Sequence, residues 1–189
     1  MAGYRAIGAV CEAVVQMLAR AWQPDVFDAE AQFKVFRSRD FVAPMETGVS
    51  LFLYRAAPNG THRTQPQPAH RRRPLPIDLS FVLTPWAKEA SLEQEILTWL
   101  LRTMADSAVL SSGLLNTATP GVFSANERVE VVPADVANEE LFRLWDVLPG
   151  DFQLSVPYAA RVVRIDGAEI ADAGPVLTRN LDYGVLKRA

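Results

Sequence analysis

Few residues in this chain have the type and spacing that chemistry requires. The histidines, His62 and His70, both fall in a polar stretch, residues 58–74 (PNGTHRTQPQPAHRRRP). A metal site needs further ligands at fixed spacing, and a catalytic imidazole needs a rigid setting. Neither surrounds these two, so they read as solvated loop side chains. Cys11 lies on an apolar helical stripe without an activating partner, and reads as a small buried hydrophobe rather than a nucleophile. Carboxylates such as Asp25, Asp28, Glu30, Asp40 and Glu46 are scattered. Acid–base pairs converge only in space, so a hydrolase built on such a pair stays open as an alternative. No GxGxxG, GxxxxGKS/T, CxxC, HExxH or GxSxG pattern occurs. The expectation is a protein that is not an enzyme, with no catalytic residue, cofactor or metal ligand.

The same polar stretch ends in Arg71, Arg72 and Arg73. Three adjacent guanidinium groups can meet phosphates or carboxylates. The run lacks the interleaved aromatics of a single-strand binder. Docking to an acidic protein surface is the preferred reading, and a nucleic-acid-associated adaptor is the alternative. Among the tryptophans, Trp22, Trp99 and Trp145 fall on helical stripes and belong to a core. Trp86 sits in a Thr-Pro-Trp turn, where it could pack or face a partner, and Tyr158 on a strand is a core or edge residue.

These side chains must be positioned by regular elements. Ile7, Val10, Cys11, Val14, Met17, Leu18, Ala21 and Trp22 recur at helical spacing over residues 4–23, and Pro24 ends that helix. Strands follow at residues 32–37 (QFKVFR), 48–55 (GVSLFLYR) and 75–84 (LPIDLSFVLT). The second is apolar on both faces, as in a central strand. The third places Leu75, Ile77, Leu79, Phe81 and Leu83 on one side, with Asp78, Ser80 and Thr84 on the other. The polar stretch between them is too long for a tight hairpin. A second helix spans residues 91–105, opened by a capping box of Ser91 and Gln94, with Leu92, Ile96, Trp99, Leu100 and Met104 inward. A strand is expected at residues 128–132. A third helix runs from Asn138 as cap to Val147, and a long bent strand covers residues 152–165. Pro157 removes one ladder donor there and marks an edge or a bulge. Residues 175–178 are a short strand candidate in an otherwise loosely held tail.

The order helix, three strands, helix, strand, helix, strand implies one α/β or α+β domain, a mixed sheet carrying about three helices. Residues 1–165 form that domain, and residues 166–189 an extension that could serve as an interaction arm. The 189 residues can bury a real core, with 49% apolar and 22% charged residues. A net charge of -3 provides no global basic field for nucleic acid or an anionic membrane. A single cysteine permits no internal disulfide, which fits a reducing compartment. The N-terminus carries no secretory pattern, and no apolar run is long enough to span a membrane. Synthesis in the cytosol is the expectation.

Five segments together resemble the Pvc sixteen-type N-terminal domain family. They are residues 41–55 (FVAPMETGVSLFLYR), 75–86 (LPIDLSFVLTPW), 113–116 (GLLN), 139–145 (EELFRLW) and 153–164 (QLSVPYAARVVR). Their order matches, and the resemblance covers residues 3–165. It implies a cap, or tail terminator, of an extracellular contractile injection system: a structural subunit that assembles in the cytoplasm into a particle that can be released. Six copies would form a ring closing the distal end of the inner tube and touching the last sheath layer. Its partners would be itself, the tube protein and the sheath protein, with no membrane and no nucleic acid. A closed ring of matching symmetry covers a growing interface without presenting a new one. The residues expected to meet partners are Arg71, Arg72, Arg73, Trp86, Pro157 and Tyr158, with Val176 and Leu177 in the tail. An exposed strand edge, from the Pro157 strand or the tail, could pair with a neighbour.

Overall fold

A computed structural model describes residues 3–61 and 74–166. Arg71, Arg72, Arg73, both histidines, and Val176 and Leu177 of the tail lie outside these. The α1 helix (Ala6–Ala21) forms where periodicity predicts it, and Trp22 leaves it in extended geometry. Pro24 does more than stop that helix. It occupies the first turn of a short second helix, α2 (Pro24–Phe27), where a missing N–H costs nothing.

The β1 strand (Gln32–Phe36) leads through a 3-10 turn (Ser38–Val42) into β2 (Gly48–Pro58), which lies parallel to it. Antiparallel β3 (Leu75–Trp86) follows, then α3 (Ala90–Asp106). A three-residue strand β4 (Val109–Ser111) and a one-turn helix α4 (Ser112–Leu115) come next, both absent from the sequence reading. The chain continues through β5 (Arg128–Pro133), α5 (Asn138–Val147) and β6 (Val156–Ile165). The result is a single α+β domain: one mixed six-stranded sheet in the order β1-β2-β3-β6-β5-β4, with five helices among the described residues.

Two expected helix caps are absent. Glu89, not Ser91, precedes α3, and no side chain caps that end, because the helix starts early and carries Ser91 into its first turn. Likewise Ala137 precedes α5, and Asn138 is already helical. The final strand also differs from expectation. It begins at Val156, and it is an interior strand, hydrogen-bonded to β3 on one side and β5 on the other. Pro157 therefore marks no sheet edge. It lies opposite Val82, just beyond the end of β5, where Ala134 N–H donates to the Pro157 carbonyl at 3.0 Å.

The sheet is covered on both faces. On one face α1, α3 and α4 pack over Val49, Leu51, Ile77, Leu79, Phe81, Leu83, Val129, Val131, Tyr158, Ala160 and Val163. The alternation read from β3 thus holds from Ile77 to Leu83, whereas Leu75 at the strand's start is 48% exposed. On the other face the 3-10 turn and α5 build a smaller aromatic core of Phe36, Phe41, Trp86, Trp145 and Leu148, with Phe52 against it. At ~25 cal/mol per Å² of apolar area, each such ring contributes a few kcal/mol of burial.

Candidate interaction surfaces

The expected contact residues within the described chain are mostly internal. Trp86 is 7% exposed, and its indole N–H donates to the Ser50 hydroxyl at 2.8 Å. Its ring meets Phe36 and Phe41. Tyr158 is 2% exposed and stacks on Phe81 at 6.3 Å, because its strand position faces the main core. Burial holds its phenol proton above the usual range. Pro157 is half-buried. Both rings are thus buried in the described chain.

Cys11 is also core. It is 3% exposed, and burial, with the nearby Glu12 charge, pushes its thiol up to about 12. That direction removes thiolate, the opposite of what a nucleophile needs. Asp40 shifts the other way. The Arg37 backbone N–H donates to its carboxylate at 2.8 Å and holds it below the usual range, with the Arg37 and Arg39 guanidinium groups helping. A general acid would need the reverse shift. Among the described residues no cluster of three histidine, cysteine or acidic side chains could hold a metal ion.

What the structure brings to the surface is of another kind. The sheet has two edge strands, β1 and β4, and β4 is only three residues long. Main-chain groups on the outer side of β1 form the longer edge. Beside it lies a shallow depression lined by Lys34, Arg37, Arg39, Val42 and Glu46. Gly48 secures β1 on its inner side: its φ is +142°, and a side chain there would run into the Gln32 backbone. Only glycine allows that approach.

A second feature sits inside the sheet. Val162 has φ +56°, a left-handed conformation that is a genuine outlier for a β-branched residue. It belongs to a bulge: Ile77 pairs with Val163 and Leu79 with Ala160, so Asp78 alone stands opposite Arg161 and Val162. The Asp78 carboxylate pins it, accepting the Val162 N–H at 2.9 Å and the Asn59 side-chain amide at 2.8 Å. Pairing of β6 with β5 stops at Arg161, while its pairing with β3 resumes at Val163 and continues to Ile165. The sequence signal was Asp78, the one charged residue in an otherwise uncharged strand.

The third is an exposed apolar patch at α5 and the loop after it. Phe142 is 52% exposed, Val147 76%, Phe152 51% and Leu154 39%. Phe142 and Phe152 meet edge to face at 5.5 Å, and Phe152 also touches Trp145 at 6.0 Å. Asp146 and Asp151 line the depression between them. Below, the Trp145 indole N–H donates to the Ser155 hydroxyl at 3.1 Å, which anchors the loop to the helix. Helical periodicity places Leu141, Leu144, Trp145 and Leu148 on the inward stripe and leaves Phe142 off it.

No curated protein matches the chain. Two solved structures share its fold. One is the sheath/tube terminator of an extracellular contractile injection system, PVC, in the extended state. It has a TM-score of 0.58 and 17% identity, over 96% of this chain and 65% of that one. The other is the tube-terminating cap of the anti-feeding prophage, with a TM-score of 0.60 and 16% identity, over 92% of this chain and 60% of that one. This chain therefore spans 65% and 60% of the lengths of the chains it matches. The profile of the Pvc16 N-terminal domain matches residues 9–179, and the chain belongs to that family.

Proposed function

We propose that this protein is a structural cap of a contractile injection particle, closing the end of the inner tube and meeting the terminal sheath layer. The observation that carries this reading is the family match over residues 9–179. The two solved structures of similar fold, a sheath/tube terminator and a tube-terminating cap, support it. The site chemistry is compatible: the described surface offers strand edges and an aromatic patch, features suited to protein contacts. Six copies in a ring would match a hexameric tube, and a closed ring leaves no further growing interface. Assembly in the cytoplasm into a particle that can leave the cell belongs to the same proposal. Residues 166–189 act in it as an interaction arm, with Val176 and Leu177 as its apolar contacts, and Arg71, Arg72 and Arg73 dock to an acidic protein surface.

The test is particle assembly without the protein. Electron microscopy of particles from a deletion strain should show tubes of uncontrolled length or open distal ends, and reintroduction should restore closed particles. Uniform, closed tubes in its absence would overturn the reading. No observation on the described residues favours the nucleic-acid adaptor or the hydrolase over the cap.

A further inference from the structure

Among the described residues the sheet ends in two edges, β1 and β4, and their outward main chains can be read from the ladders. In β1 the Gln32 N–H donates to the Thr47 carbonyl at 3.0 Å, so Gln32, Lys34 and Phe36 turn their main chains to β2. Phe33 and Val35 therefore turn theirs away from the sheet. In β4 the Val131 N–H donates to the Ala108 carbonyl at 2.8 Å, which makes Leu110 the residue bonded to β5. Val109 and Ser111 then turn theirs outward, at the same two-residue spacing.

Polarity and pleat match as well. The β1 strand runs parallel to β2, and each of the four further steps across the sheet to β4 is antiparallel. An even number of reversals leaves β1 and β4 pointing the same way. Two copies held in one orientation thus bring these edges together in parallel. In a parallel pair an outward-turned residue lies opposite an inward-turned one, with both side chains on one face. Phe33 and Val35 face the main core, and so does Leu110. The main-core face of one copy then continues into that of the next.

We propose that β1 of one copy pairs in parallel with β4 of a second copy, extending the sheet from subunit to subunit. Charge selects the register. With Leu110 opposite Val35, Val109 comes beside Lys34 on the second face, in one row with Glu130 of β5. Lys34 can lay its methylenes over Val109, which is 53% exposed, and reach the Glu130 carboxylate. Neither Lys34 nor Glu130 has an ion-pair partner among the described residues. A two-residue slip, with Leu110 opposite Phe33, puts Lys34 in the row of Arg128 instead. In the favoured register Val35 donates its N–H to the Val109 carbonyl and accepts the Ser111 N–H. A two-fold contact between two β1 strands centred on Lys34 sets lysine against lysine, and it ends at a dimer. The β1–β4 contact joins two different edges and can propagate around a ring. It rests on the cap reading only in supplying the copy-to-copy contact of that ring.

The experiment uses the full chain. Ser111 has φ -73°, which proline adopts, so Ser111→Pro deletes the outward N–H and suits the strand. It should weaken self-association in sedimentation velocity by about tenfold or more, whereas Ser111→Ala, which loses only the hydroxyl that caps α4, should stay within about threefold. Lys34→Cys with Val109→Cys should give, under mild oxidation, a disulfide-linked ladder beyond the dimer, since paired strands lie about 4.8 Å apart. That pair carries the test if Ser111→Pro fails to fold. No ladder from the pair, dimers from Lys34→Cys alone at the same rate, or association that survives Ser111→Pro would overturn the proposal. Closed tubes in particles carrying Ser111→Pro would sink this inference and leave the cap intact, whereas closed tubes in the deletion strain sink the cap.

Discussion

Cys11 shows how little of its chemistry a residue type reveals. The thiol reads as inert from its place on an apolar stripe, and its environment makes it so: burial raises its proton affinity to about 12 from 9.0. Iodoacetamide at pH 8 should alkylate it at least about tenfold more slowly in the folded protein than in urea, since thiolate is the reacting form. The raised value also fixes a sign. Cys11 favours the folded state fully below pH 9.0 and loses that contribution as pH rises towards 12. Thr84 is the opposite case. Its hydroxyl is buried without a hydrogen-bond partner among the described residues. Thr84→Val keeps the shape and removes that group, so it should raise stability by about 1 kcal/mol in urea unfolding. A loss of stability would mean that the hydroxyl is satisfied. The burial of Cys11 was legible from its helical stripe, whereas that of Thr84 was not, because it depends on what packs over the second face of the sheet.

At the level of elements, Asp78 holds two strands in a register they would not otherwise keep. Asp78→Ala strands the Val162 N–H in a left-handed turn and frees the Asn59 amide. It should cost about 1–3 kcal/mol by denaturant titration. Asn59→Ala in the same background should add little, since the two act through one carboxylate. Gly48→Ala tests the β1 edge: the new Cβ meets the Gln32 backbone at φ +142°, so the variant should lose protection from hydrogen exchange in β1 before β3. The central strands and the three long helices were legible in the sequence because their apolar spacing is regular over many residues. The short β4 and α4 were not, since three or four residues carry no period. The capping box failed because tertiary packing set where α3 begins.

For the molecule as a whole, removal of residues 167–189 should leave the folded domain intact, as judged by its thermal transition. It should abolish ring formation and lengthen tubes in particles; unchanged rings and tube lengths would remove any role for the tail. Among the described residues, α1 to β6 already form a continuous core. Among the described residues its two sheet faces are covered, and the strand edges and the α5 patch remain exposed.

The sequence alone determined the composition of the core, the mixed α+β architecture, the lack of any readable catalytic motif and, through five ordered segments, the family. Those properties follow from periodicity and residue type, which survive without a partner. Only the tertiary structure decided what faces outward. Trp86 and Tyr158 carry the aromatic character of contact residues, yet pairing of β2, β3 and β6 turns both rings into the core. Pro157 looked like a marker of an edge or a bulge, but β6 lies between β3 and β5, and its bulge falls at Arg161 and Val162 instead. Phe142 and Phe152 stay about half exposed beside Asp146 and Asp151, where α5 and the loop after it meet. Burial is a property of which elements meet, and long-range pairing chooses that after local pattern has set the elements themselves.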